Sequence, residues 1–227
     1  MIMGVVTAQA SPISIDKIRK TTINDIVKLP IDGISAVESK GQILFISDNG
    51  RFVFSGEIYD LLKKKNLSTM SQLHDSAERI DIKNIKLDID KLNTLSFGKG
   101  NKQVIVFVDP LSKVSIRLMK DAEKLFNDYT FKFVVIPALG NKSNQQSKKL
   151  YCAVDKKNAV SAFISHTLDK LPQQKNCDLD GYDKTLLTAR FLHIQGVPFI
   201  IAPDGHIGKG RPHDLRSFLG DKIDRNN

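Results

Sequence analysis

The chain has 227 residues, 41% of them hydrophobic, which is enough to bury a real core in one or two domains. No run approaches the roughly 18 apolar residues of a membrane span, so membrane insertion is not expected. The net charge of +9 comes mostly from dispersed lysines, with 7% aromatics and no recognisable DNA or RNA motif, a pattern of solvated surface and no nucleic-acid partner.

From the N-terminus, MIMGVVTAQASP has a short apolar stretch and then Ala8-Gln9-Ala10, a small-x-small pattern of the kind signal peptidase cuts. It lacks a charged leading region and is too short for a full apolar one. Residues 1–12 therefore read as a signal-peptide remnant or a disordered lead. Residues 13–65 form a first unit. Gly33 to Glu38 and Gln42 to Ile46 have strand composition, and Asn49-Gly50 before Arg51 to Ser55 is a strong hairpin signal. So small an antiparallel sheet makes a poor core alone, which points to self-association.

Residues 66–94 are expected to be a connecting helix. The stretch from Tyr59 is rich in charge and lacks Gly and Pro, with Leu67, Met70 and Leu73 at helical spacing. Lys63-Lys64-Lys65 reads as a solvated helix end. Residues 95–222 form the second unit, with a tail at 223–227. A strand at Leu92 to Phe97 and a Gly-rich turn lead into Val104 to Val108, an uncharged, valine-rich run that predicts a buried strand. Asp109-Pro110 stops it, and Ile116, Leu118, Met119, Ala122 and Leu125 predict a helix that begins near Ser112. Phe131 to Ile136 is a second buried strand. Helices follow at about 144–154, 156–169 and 186–194. Gly196-Val197-Pro198 then opens a strand at Phe199 to Ala202, Pro203-Asp204-Gly205 turns, and a last helix covers Leu215 to Leu219. The fold class is α+β, and the order of the second unit is thioredoxin-like, with a helical insertion.

Four motifs in this order resemble the periplasmic disulfide isomerases of the DsbC/DsbG family. Phe107-Val108-Asp109-Pro110-Leu111 is similar to the lead-in to the family's Cys-x-x-Cys. Gly196-Val197-Pro198 resembles the Gly-Thr/Val-Pro turn, whose proline is cis and lies against the active site. Tyr151-Cys152-Ala153 and Asn176-Cys177-Asp178 match positions of a second, structural disulfide found in some members. Asn49-Gly50 followed by Ser55 to Asp60 resembles the end of the N-terminal dimerisation domain. The resemblance implies a cystatin-like N-terminal dimerisation domain, linker helices and two thioredoxin-like domains facing an apolar cleft. It implies a periplasmic homodimer that holds unfolded or misfolded secreted proteins. A parent with thiols would also meet a membrane reductase. Relatives occur among conjugative elements, where some have drifted from Cys-x-x-Cys.

The chain departs from the family where chemistry is expected. Ser112-Lys113-Val114-Ser115 stands in place of Cys-x-x-Cys. Isomerisation needs a thiolate at a helix N-terminus and a second thiol to resolve the mixed disulfide, and serine supplies neither. Serine catalysis would need a base; Lys113 and Asp109 are near in sequence, but there is no histidine and no Gly-x-Ser-x-Gly. Serine is, however, a favoured N-cap, worth about 1 kcal/mol over alanine. A natural redox-silent relative and a deliberate replacement of both cysteines are both consistent with the pattern. Two functions follow: a silenced isomerase scaffold, or a non-catalytic chaperone or assembly factor of a secretion or conjugation system. In both, Lys113, Val114, Val197 and Pro198 are the expected substrate-binding residues, with Lys113 favouring clients with acidic flanks. Cys152 and Cys177 are expected to form the structural disulfide. His74, His166, His193, His206 and His213 show no ligand spacing, so neither a metal nor another cofactor is expected.

Overall fold

The computed structural model describes residues 22–154, 156 and 158–220; the expectations for residues 1–12 and 223–227 lie outside them. The chain divides into two units after Glu78. In the first, four antiparallel strands run in the order β1 (Asp25–Lys28), β2 (Ile34–Ser39), β3 (Gln42–Ser47) and β4 (Val53–Phe54). The Asn-Gly turn joins the last two. Gly50 takes φ 68°, and the Asn49 side chain accepts from the Arg51 N–H at 3.0 Å, which closes the turn. Register puts Val27, Ala36 and Phe45 on one face, where they pack with Met70 and Leu73 of α1 (Met70–Glu78). Ile26 and Phe54, on the two edge strands, stay more than half exposed.

Within residues 66–94 the α-helix covers only Met70–Glu78, which packs in the first unit. Residues 58–67 form instead a hairpin of β5 (Ile58–Asp60) and β6 (Lys65–Leu67). The Asp60 carboxylate accepts from the Leu62 and Lys63 N–H groups at 2.8 and 3.0 Å, a local turn that competes with helix. The three lysines are accordingly not a helix end: Lys64 has φ 52°, and the largely buried Lys63 ammonium contacts the Asp75 carboxylate. Beyond Glu78 the helix does not continue, because Asp81 repeats the device with Lys83 and Asn84.

The second unit is built on a five-stranded sheet of β7 (Thr94–Gly98), β8 (Lys102–Val108), β9 (Tyr129–Val135), β10 (Phe199–Ile201) and β11 (Ile207–Lys209). Their order is β11-β10-β8-β9-β7. Only β8 and β9 are parallel, linked by the crossover helix α2 (Lys113–Glu123). β8 lies at the centre, buried on both faces, which is why it reads as a continuous apolar run. Val104, Val106 and Val108 join a core with Phe131 and Phe133 of β9 and with Ile116, Leu118 and Met119 of α2. On the other face Phe107 meets Phe199 edge-on at 6.4 Å. Between β9 and β10 lie α3 (Asn141–Tyr151), α4 (Ala159–Ile164), a short 3-10 turn at Leu168–Lys170 and α5 (Asp180–Phe191). The short helix α6 (Leu215–Phe218) follows β11 and is capped by Asp214.

Candidate functional site

The candidate site is the junction between β8 and α2. Ser112 is the N-cap of α2: its extended backbone ends the turn, and its hydroxyl accepts from the Ser115 N–H at 3.2 Å. Both serines are buried, Ser115 completely. The Ser115 hydroxyl accepts in turn from the Asp109 N–H at 3.4 Å. The two hydroxyls thus satisfy backbone groups of the turn.

Asp109, considered above as a base, is occupied otherwise. It is fully buried, and its carboxylate accepts from the N–H groups of Leu111 at 2.7 Å and Leu139 at 2.9 Å, and from the Ser143 hydroxyl. These bonds tie the β8–α2 turn to the loop before α3 and to α3 itself. Deeper in, the Tyr182 hydroxyl donates to Asn144 at 2.5 Å. Burial, then the charges of Asp183 and Asp109, push its pKa up to about 12, so it remains a donor at neutral pH. Leu139, Ser143, Asn144 and Tyr182 were not foreseen as parts of this site. They stand 30 or more positions from Asp109, and no local pattern marks them.

The Val197-Pro198 turn approaches the same place. Phe199 pairs with Phe107 in the β8–β10 ladder, and extending that antiparallel register puts Pro198 beside Val108 and Val197 beside Asp109. The Val197–Pro198 peptide bond is cis. The Pro198 carbonyl accepts from the Gly210 N–H at 2.8 Å, whereas among the described residues the N–H and carbonyl of Val197 make no hydrogen bond. Pro198 is buried and Val197 half-buried; on the α2 side Lys113 is exposed and Val114 is 41% exposed. Topology therefore gathers Ser112, Lys113, Val114, Ser115, Val197 and Pro198 at one end of β8.

Cys152 and Cys177 are elsewhere. They form a disulfide with Cα atoms 5.6 Å apart, joining the end of α3 to the loop before α5. Ser143 and Cys152 are separated by roughly 14 Å of helix at 1.5 Å per residue, so the disulfide lies at the far end of α3 from Asp109. Both cysteines of the chain are in this bond, and no free thiol remains. The bridge closes a separation of 25 residues. Reducing it should lower the unfolding free energy by about 3 kcal/mol in urea titrations with and without reductant. A loss below about 1 kcal/mol would mean that other contacts already fix this loop.

A central mixed sheet with β8 and β9 parallel, a crossover helix at the site and a Val-Pro turn beside it define a thioredoxin-like unit. Residues 6–69 match the family described as disulfide bond isomerase protein N-terminal domain. The chain is 25% identical over 207 residues to the thiol:disulfide interchange protein DsbC of Salmonella typhimurium, covering 84% of this chain and 78% of that protein. It is 24% identical over 217 residues to the protein of the same name from Haemophilus influenzae, covering 89% and 87%. Among solved structures, a disulfide interchange protein from Neisseria gonorrhoeae is 23% identical with a TM-score of 0.46, over 58% of this chain and 92% of that one. The chain is thus similar to DsbC proteins over most of its length, and residues 6–69 match the N-terminal domain of disulfide bond isomerases.

Proposed function

We propose that the chain is a DsbC-like scaffold that binds unfolded or misfolded secreted proteins without exchanging disulfides with them. In this reading it works in the periplasm as a homodimer joined through its N-terminal unit. The observation that carries the reading is the state of the β8–α2 junction: serine hydroxyls occupy both thiol positions and cap the helix, while the only two cysteines are bonded to each other at a distance. Dimerisation is supported by the small first unit with exposed Ile26 and Phe54 on its edge strands. Client binding needs no sulfur. The unused N–H and carbonyl of Val197 suit strand-like pairing with an extended peptide, and Val114 offers apolar contact beside them. A role as chaperone or assembly factor of a secretion or conjugation system uses the same face and differs only in the client.

The test is suppression of aggregation of a reduced, unfolded client. The chain should suppress it, and Val114→Asp and Pro198→Thr should each weaken suppression several-fold. Equal suppression by all three would remove this face as the binding surface, and no suppression at all would remove the client-binding function.

A further inference from the structure

Helix α2 carries a row of cations on its exposed face. Lys113, Arg117, Lys120 and Lys124 are all exposed, and their spacing of four, three and four residues puts them within about 60° of one another around the axis. Together they form a basic ridge about 16 Å long at 1.5 Å per residue. It begins at the candidate site. Cations belong near a helix C-terminus and carboxylates near its N-terminus, each worth about 0.3–1 kcal/mol. Here the first turn holds Lys113 and no acidic residue, so that cation is unfavourably placed, whereas Lys120 in the last turn and Lys124 at the C-cap are favourably placed. At the far end of the ridge Lys124 pairs with Asp121 at 3.7 Å, and Asp121 also accepts from Arg211. Among the described residues no carboxylate pairs with Lys113, Arg117 or Lys120. Three aligned cations without a carboxylate partner, starting at the candidate site, give this face a positive potential that suits an anionic partner.

Resting on the client-binding reading, we infer that the exposed ridge of α2 is the docking track for an acidic segment of a polypeptide client, which runs along Arg117 and Lys120 from the Val197 turn. About five extended residues at 3.3 Å each span the ridge. A polypeptide is favoured over a nucleic acid because the ridge starts beside the unused backbone groups of Val197, and α2 has no aromatic side chain on which a base could stack. A membrane surface is disfavoured because the apolar face of α2 is already in the core.

The experiment uses a fluorescent dodecapeptide of alternating Glu and Thr, its Gln-for-Glu counterpart, and a dodecamer of thymidine. The acidic peptide should bind at least tenfold more tightly than the Gln peptide at 50 mM salt, and most of that gap should close at 300 mM. Arg117→Gln with Lys120→Gln should abolish the gap, whereas Lys170→Gln with Lys175→Gln, which removes the same charge elsewhere, should change it less than twofold. Equal effects of the two double variants would overturn the inference, as would absence of the gap or tighter binding of the oligonucleotide. Suppression of aggregation of an uncharged unfolded client is measured alongside. Its failure in the unmodified chain would sink the client-binding reading itself, whereas its persistence without a charge gap would sink the ridge alone.

Discussion

Ser112→Cys together with Ser115→Cys should convert the chain from background into a protein that reduces insulin and repairs scrambled disulfides. The helix start that would serve a thiolate is already built. The Ser112 side-chain oxygen receives the Ser115 N–H at 3.2 Å, and a sulfur there would meet the same donor and the positive end of the helix dipole. Lys113 adds a cation in the first turn of the helix, and the Asp109 carboxylate in the preceding turn is already engaged by three donors. A cysteine at 112 should therefore titrate at least about one unit below the 8.5 of free cysteine, read from the pH dependence of its alkylation. Residue 115 would supply the buried resolving thiol. If the folded double variant stays at background, the turn has lost more than its sulfur, and holding clients is the whole of the function.

Asp109→Ala should cost the second unit about 3–5 kcal/mol. The carboxylate is fully buried and serves three donors, and its removal would strand the N–H groups of Leu111 and Leu139 and the Ser143 hydroxyl. Asp109→Asn should cost less, since one acceptor oxygen remains. Urea unfolding followed by far-ultraviolet circular dichroism measures both. A loss under 1 kcal/mol for the alanine variant would show that the tie between the β8–α2 turn and α3 is dispensable.

Elements with a strong local cause could be read from the sequence. Val104 to Val108 is apolar because it is buried on both sides, Asn49-Gly50 makes its own turn, and Asp109-Pro110 ends a strand wherever it occurs. Long-range polar ties could not be read. Asp109 looked like a strand terminator and a candidate base, because its acceptors are filled from Leu139 and Ser143 in a different element. Lys63 to Lys65 looked like a helix end, but the Asp60 side chain competes for the backbone there. Helix α5 starts at Asp180, six residues before the expected Leu186, because its first half is buried through Tyr182 and Thr185, which an apolar periodicity does not count. The α2 ridge was in view only at Lys113. Its meaning depends on knowing that Arg117 and Lys120 pair with no carboxylate among the described residues.

Sedimentation velocity of the chain alone and mixed with a reduced, unfolded client tests the central claim most directly. The account predicts a dimer at micromolar concentration and co-sedimentation of the client with it. It further predicts that denaturant without reductant releases the client entirely. A monomer, a client that sediments separately, or a client that stays attached through Cys152 or Cys177 until reductant is added would contradict it.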